Sequence, residues 1–357
     1  MTGKERTLAI LRRQKTDRVG LYEHFWEDTY KAWLQEGHYQ AGQSFNDLFG
    51  YDLQECGAFN LTADLDFVPQ VLAETEHTVT VLDGNGATLK RYKLHDTTPE
   101  HIAYRVTDRA GWEKEIKPLL TPSPRRIDFA GYRKARERAK AAGRALFLCG
   151  VNVFESIHPM CGHVNMLMGM AEDPDWVRDM AETYADLLIG LTDLLIKQEG
   201  APDGIWYYED MGFKGSPFMS PRMYEQLIQP SHARTIAHAH AHGLPVIMHS
   251  CGYVEPLLPG MVEAGIDCLQ VIEVKAGMDL LKLNRQYGHR IAFMGGIDVQ
   301  ALYTNDRAVI DRELDQKLLP MMETHNYFVH SDHSIPRTVH YDTYRYFVDR
   351  AMALGRY

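Results

Sequence analysis

Residues 244–254, Leu244-Pro245-Val246-Ile247-Met248-His249-Ser250-Cys251-Gly252-Tyr253-Val254, decide the fold. A hydrophobic, strand-like run over 244–248 passes through His249-Ser250-Cys251-Gly252 into a helical segment that starts near Val254. This is the pattern of one βα unit. An imidazole and a thiol one residue apart at a strand end can both reach a single metal ion. The arrangement recurs where Tyr327-Phe328-Val329 runs into His330-Ser331-Asp332-His333-Ser334-Ile335-Pro336 before another helical segment. If both strands belong to one parallel barrel, their C-terminal ends open on one mouth.

Working outward, short apolar runs at 145–149, 204–208, 244–248, 268–272, 291–294 and 327–330 alternate with longer helical patterns. The helix before the second run is well marked. Asp173 caps it, Pro174 suits its first turn, and Trp176, Met180, Tyr184, Leu187, Leu191 and Leu194 keep helical spacing as far as Gly200. Towards the N-terminus a helix is expected over 4–14 and a strand over 19–22, after which the alternation fades. Residues 78–82 and 88–92, joined by Asp83-Gly84-Asn85-Gly86, read as a β-hairpin that Arg105-Val106 continues. The expected fold is α/β: a (β/α)8 TIM barrel with an N-terminal excursion containing the hairpin, as a single domain over 1–357. A doubly wound open sheet is the alternative, but no GxGxxG opens a helix.

A net charge of −10 argues against nucleic acid as the main partner, because phosphate binding requires a basic face. No stretch has the length of a membrane span, and residues 1–17 lack the apolar core of a signal peptide. Five scattered cysteines, Cys56, Cys149, Cys161, Cys251 and Cys268, suit reduced thiols better than a disulfide framework. A soluble, cytoplasmic protein is expected.

With the strands parallel, the mouth receives Glu209 and Asp210, His249 and Cys251, Glu273, Gly295-Gly296-Ile297-Asp298, and finally His330, Asp332 and His333. Zinc favours thiolate and imidazole, and a catalytic zinc keeps three protein ligands and one open position. His249, Cys251 and His333 would supply such a set, with Glu209, Asp210 or Glu273 managing protons or completing the coordination. Singly, Cys251 and His249 read as core residues, and Glu209-Asp210 as an acidic pair at a helix start. The run His238-Ala239-His240-Ala241-His242 resembles a metal tract, yet on a helix only His238 and His242 share a face, and it precedes its strand. It reads as a solvated surface. Tyr22, Phe25, Trp26, Tyr30 and Trp33 read as core that could line a pocket for a flat substrate.

These residues resemble the uroporphyrinogen decarboxylase superfamily, a (β/α)8 barrel family that includes zinc-dependent, corrinoid-linked methyltransferases. The resemblance runs through Lys4-Glu5-Arg6, Thr16-Asp17-Arg18-Val19, Val153-Phe154-Glu155 with Gly162, Glu172-Asp173-Pro174, His249-Ser250-Cys251-Gly252, Gly295-Gly296-Ile297-Asp298 and His333-Ser334-Ile335-Pro336. The decarboxylase branch is the poorer match. Its N-terminal Arg-x-x-x-Arg grip on the substrate carboxylates has no counterpart, and no arginine falls between Arg18 and Arg91.

The methyltransferase branch typically shows His-x-Cys and a later cysteine. Here Asp332-His333-Ser334 stands at the later position, so the resemblance implies His333, or else Asp332, as third ligand. It further implies zinc as cofactor and methyl transfer between a small molecule and a corrinoid held by a separate protein, since no DxHxxG corrinoid segment occurs here. It also allows a homodimer. Aromatic residues near the mouth suit a methoxylated aromatic donor. The rival readings are a metal-free decarboxylase on the same barrel and a non-catalytic barrel that binds a tetrapyrrole or corrinoid.

Overall fold

A computed structural model describes residues 1–94 and 98–357. Among the described residues the strands are β1 (Gly20–Leu21), β2 (Leu53–Gly57), β3 (Gln70–Glu74), β4 (Thr78–Leu82), β5 (Ala87–Tyr92), β6 (Glu100–Tyr104), β7 (Ala145–Val151), β8 (Gly204–Tyr208), β9 (Gly212–Phe213), β10 (Ser216–Pro217), β11 (Val246–Ser250), β12 (Cys268–Val271), β13 (Ala292–Gly295) and β14 (Tyr327–Val329). Eight of them form one parallel sheet in the order β1-β14-β13-β12-β11-β8-β7-β2. The sheet curls until its two edges meet, where the Asp52 N–H donates to the Leu21 carbonyl at 3.0 Å. Helices cover the outer face, so apolar runs such as Val246-Ile247-Met248 and Ala292-Phe293-Met294 are buried on both sides.

The meeting of the edges is held by charge. Arg6 in the helix Gly3–Leu11 reaches Asp52 at 2.5 Å and Asp17 at 2.7 Å, while Arg18 grips Asp52 through both guanidinium nitrogens at 2.8 and 2.9 Å. Asp52 also accepts the Leu21 N–H at 2.9 Å. The Lys4-Glu5-Arg6 and Thr16-Asp17-Arg18 motifs therefore act at the N-terminal ends of the strands, away from the mouth.

The outer helix Pro174–Glu199 begins as its sequence dictates, with the Asp173 side chain accepting the Trp176 N–H and Pro174 in the first turn, and it ends at Gly200. The sheet strands expected at 145–149, 204–208, 268–272, 291–294 and 327–330 lie within two residues of their expected bounds. The strand expected at 244–248 runs over 246–250, so His249 sits inside it. The first helix stops at Leu11, short of Gln14, and the first strand covers only Gly20–Leu21. Strand β2 was not expected, because Leu53-Gln54-Glu55-Cys56-Gly57 places polar residues where a buried strand usually shows an apolar run. The hairpin expands into a four-stranded antiparallel sheet, β3-β4-β5-β6, whose last strand ends just before Arg105.

Candidate metal centre

Parallel register sets the site. His249 is paired with Tyr208 on β8 and with Gln270 on β12, so these three side chains project from one level of the sheet. One residue past β11, the loop carrying Cys251 meets the loop after β8 through bare backbone. A Cβ on Gly252 would lie 2.4 Å from the Gly212 carbonyl carbon, which only two glycines permit. The Tyr253 N–H donates to the Phe213 carbonyl at 2.9 Å, and the Met211 N–H to Ser250 Oγ at 3.1 Å. These contacts bring Asp210 over the strand end. Its Oδ1 accepts the Cys251 N–H at 3.1 Å and lies 3.0 Å from His249 Nε2. Ligand atoms of Asp210, His249 and Cys251 all fall within 4.8 Å of one another.

Hydrogen bonding assigns the tautomer of His249. The Ser331 carbonyl, which can only accept, lies 2.5 Å from His330 Nδ1, so that nitrogen carries the proton and His330 Nε2 is an acceptor. It faces His24 Nδ1 at 2.9 Å and Gln270 Nε2 at 3.4 Å. The Gln270 amide thus directs its nitrogen at His330 and its oxygen at His249 Nδ1, which must be protonated. The ring nitrogen facing Asp210 and Cys251 is then the one available to a metal, with Gln270 orienting the ring from behind. Beyond His24, its Nε2 lies 2.8 Å from Glu55, which also accepts the Tyr208 hydroxyl at 2.9 Å. Residues from six strands or strand ends are joined in one network across the mouth.

The electrostatics suit a cation. Burial opposes the charged forms of both Asp210 and His249, but their mutual hydrogen bond and attraction outweigh it, holding the Asp210 carboxyl well below the usual range and raising the His249 imidazole. Burial, then the Asp210 and Glu273 carboxylates, push the Cys251 thiol up. If a divalent cation were held by Asp210, His249 and Cys251, its charge would favour loss of the protons on His249 Nε2 and Cys251 Sγ. Affinity should therefore rise with pH.

The other expected site residues divide. Glu273 stands beside the group, its Oε2 accepting the Gly252 N–H at 2.7 Å. His333 does not join the 4.8 Å group; it packs against the Trp26 ring at 5.7 Å, with a buried Nδ1 that has no hydrogen-bond partner. Asp332 is fully buried and accepts the Val274 and Val299 N–H groups at 2.9 and 2.8 Å, which ties strand-end loops together. Glu209 is also fully buried. Its Oε2 accepts the Phe154 and Glu155 N–H groups at 3.1 and 3.3 Å, anchoring the helix Val153–Glu172, whose first residue's neighbour Asn152 turns its side chain to Thr235 and does not cap the helix. Away from the mouth, Asp193 on the helix Pro174–Glu199 meets His238 and His242, so the tract expected to be plain surface joins a group of three potential ligands.

Sequence reading missed Gln270, His24 and Glu55. The available signal was a polar residue inside an apolar strand, as in Cys268-Leu269-Gln270-Val271, and polar residues flanking or inside unremarkable short strands.

The fold and site define an α/β protein with a curled parallel sheet and its polar groups gathered at the C-terminal strand ends. The chain belongs to the uroporphyrinogen decarboxylase family, whose model, "Uroporphyrinogen decarboxylase (URO-D)", matches residues 154–354. Among solved structures, a methyltransferase from Methanosarcina mazei shares the fold, with a TM-score of 0.64 at 12% identity over 98% of each chain. A Xaa-Pro dipeptidase with bound methionine aligns at a TM-score of 0.33 and 15% identity, over 64% of this chain and 59% of its own. No curated protein matches the sequence.

Proposed function

We propose that this chain is a zinc-dependent methyltransferase that moves a methyl group between a small heteroatom-bearing molecule, such as a methoxylated aromatic, and a corrinoid held by a separate protein. The reading takes 1–357 as a single domain and the curled sheet as a closed (β/α)8 barrel, acting in the cytoplasm. The observation that carries it is the grouping of Asp210, His249 and Cys251 with Gln270 behind His249. The fold shared with the Methanosarcina methyltransferase supports it. Against the decarboxylase alternative, Arg6 and Arg18 are engaged by Asp17 and Asp52 at the other end of the sheet.

The donor set fits zinc: one thiol, one oriented imidazole and one carboxylate, a three-ligand combination that leaves a position open. When bound, the metal would supply Lewis acidity to polarise the heteroatom that gains or loses the methyl group. Asp210, His249 and Cys251 would hold it. Glu273 bears on the protonation of His333, whose imidazole is lowered by burial first and then by the nearby Lys275 charge; we assign this pair to proton handling across the mouth. Glu209 acts as a positioning residue through the helix start it anchors.

The test compares metal content of protein purified without chelator with that of Cys251→Ala prepared alongside, followed by a methyl-transfer assay with a corrinoid protein and methoxylated aromatics. Near-stoichiometric zinc in the parent, lost in the variant together with transfer, is the expected result. Zinc in neither protein would end this reading.

A further inference from the structure

We propose that Glu155, His158 and His163 form a second binding site for a first-row divalent cation, beside the first centre and roofed by the N-terminal antiparallel sheet. The proposal goes beyond the methyltransferase reading and does not rest on it.

The site is built by a break in a helix. Glu155 and His158, three residues apart in the first turns of Val153–Glu172, share a face, and Glu155 Oε2 lies 2.9 Å from His158 Nε2. His163 is five residues beyond His158, which on an unbroken helix would set it roughly 140° away around the axis. Gly162 interrupts the helix at φ 81°, ψ 154°, and His163 folds back until its ring stacks on His158 with centroids 4.0 Å apart. No other residue fits at 162, because a Cβ there would fall 2.4 Å from the Tyr104 ring. As a result, one ligand atom from each of Glu155, His158 and His163 lies within 4.8 Å of the others.

Several observations point to a ligand. His158 Nδ1 is buried with no hydrogen-bond partner, a condition that is unfavourable in a folded protein unless something uses the atom. Burial first, then the neighbouring His158 and His101, lower the His163 imidazole to about 4, leaving it neutral and free to ligate. A cavity of about 350 Å³ opens onto His158 and His163, with His101 and Tyr104 of β6 on its far wall. Two imidazoles and a carboxylate beside open space suit a first-row divalent ion with a free coordination position. The site lies at the same end as the first centre, since the Glu155 N–H donates at 3.3 Å to Glu209, the chain neighbour of Asp210.

The experiment titrates chelator-stripped full-length protein with Co2+, followed by d–d absorption and by equilibrium dialysis. Every sample in this titration carries His242→Ala to disable the Asp193 surface group and Cys251→Ser to disable the first centre; one separate control retains Cys251. One equivalent should still bind, without the thiolate-to-cobalt band that Cys251 would give, and His163→Ala should weaken it more than tenfold. Glu155→Gln, nearly isosteric, should do the same and decides the question if His163→Ala fails to fold. The proposal is overturned if the parent double variant binds no Co2+, or if Glu155→Gln and a folded His163→Ala leave its binding unchanged. The thiolate band in protein that retains Cys251 reports separately on the first centre.

Discussion

The two ends of the curled sheet treat polar groups in opposite ways. At the N-terminal end, Asp52 accepts four hydrogen bonds, one from Arg6, two from Arg18 and one from the Leu21 N–H, which fills both carboxylate oxygens. At the C-terminal end, His333 Nδ1, His158 Nδ1 and Glu209 Oε1 are buried without a partner. Unpaired buried atoms occur elsewhere too, as at Trp176 Nε1 and His325 Nδ1, but buried polar groups in folded proteins are nearly always paired, so three unpaired atoms on titratable side chains at the mouth mark capacity for something other than folding. Saturation ties the two edges of the curled sheet together; incompleteness is left at the mouth.

The contrast breaks most sharply at Asp52. Replacing it with alanine leaves Arg6, only 5% exposed, without its main buried counter-charge, and truncating one partner of a buried pair costs about 3–5 kcal/mol. Urea denaturation of Asp52→Ala should show a loss of that order, while the fraction that remains folded binds metal as before. A loss below about 1 kcal/mol would mean that the closure is held elsewhere.

A smaller effect belongs to the mouth. Gln270→Leu keeps the volume but removes the acceptor for His249 Nδ1, and loss of such an orienting partner typically lowers metal affinity by about 10–100-fold. Gln270→Glu keeps an oxygen for His249 and should recover much of that affinity. Competition with a coloured chelator measures both. Equal affinities for Leu and Glu would show that position 270 acts through packing alone.

How far the sequence carried these conclusions follows the same division. His249 and Cys251 were legible because an apolar strand ending in two metal-binding side chains is a local pattern. The third member of their group was not. Both Asp210 and His333 stand at strand ends, and only the contact of Gly212 with Gly252, between loops about forty residues apart in sequence, brings Asp210 over Cys251 while His333 packs on Trp26. Glu155, His158 and His163 were hidden for a related reason: helical periodicity separates His158 from His163, and the backbone break at Gly162 reunites them. Glu55 was lost with its strand, because it points into the network where the periodicity rule expects an apolar core residue, while Gln54 faces Asn46.

Two carboxyls, Glu23 at the mouth and Asp17 at the N-terminal end, should also respond to pH in opposite directions, which gives the mildest test; burial raises Asp52 and, against burial, the His249 hydrogen bond lowers Asp210, so the contrast belongs to this pair. Burial pushes the Glu23 carboxyl up to about 8, against the Ser331 and His24 N–H groups and the Ser331 hydroxyl that it accepts. Below about pH 4.3 it is protonated in both folded and unfolded chains. As pH rises from there towards 8 the unfolded chain releases this proton while the folded one retains it, so stability falls, by up to about 1.36 kcal/mol per pH unit from one group. Asp17 is the reverse. Its hydrogen bond from Arg6, the largest influence on it, holds its carboxyl well below the usual range, so its contribution is present above about pH 4 and is lost on acidification. With metal removed by chelator, thermal unfolding across pH 2–9 should show Glu23→Gln gaining on the parent between pH 5 and 8, and Asp17→Asn losing its deficit below pH 4. Curves that run parallel to the parent for both variants would mean that Glu23 and Asp17 differ in geometry without a difference in proton binding.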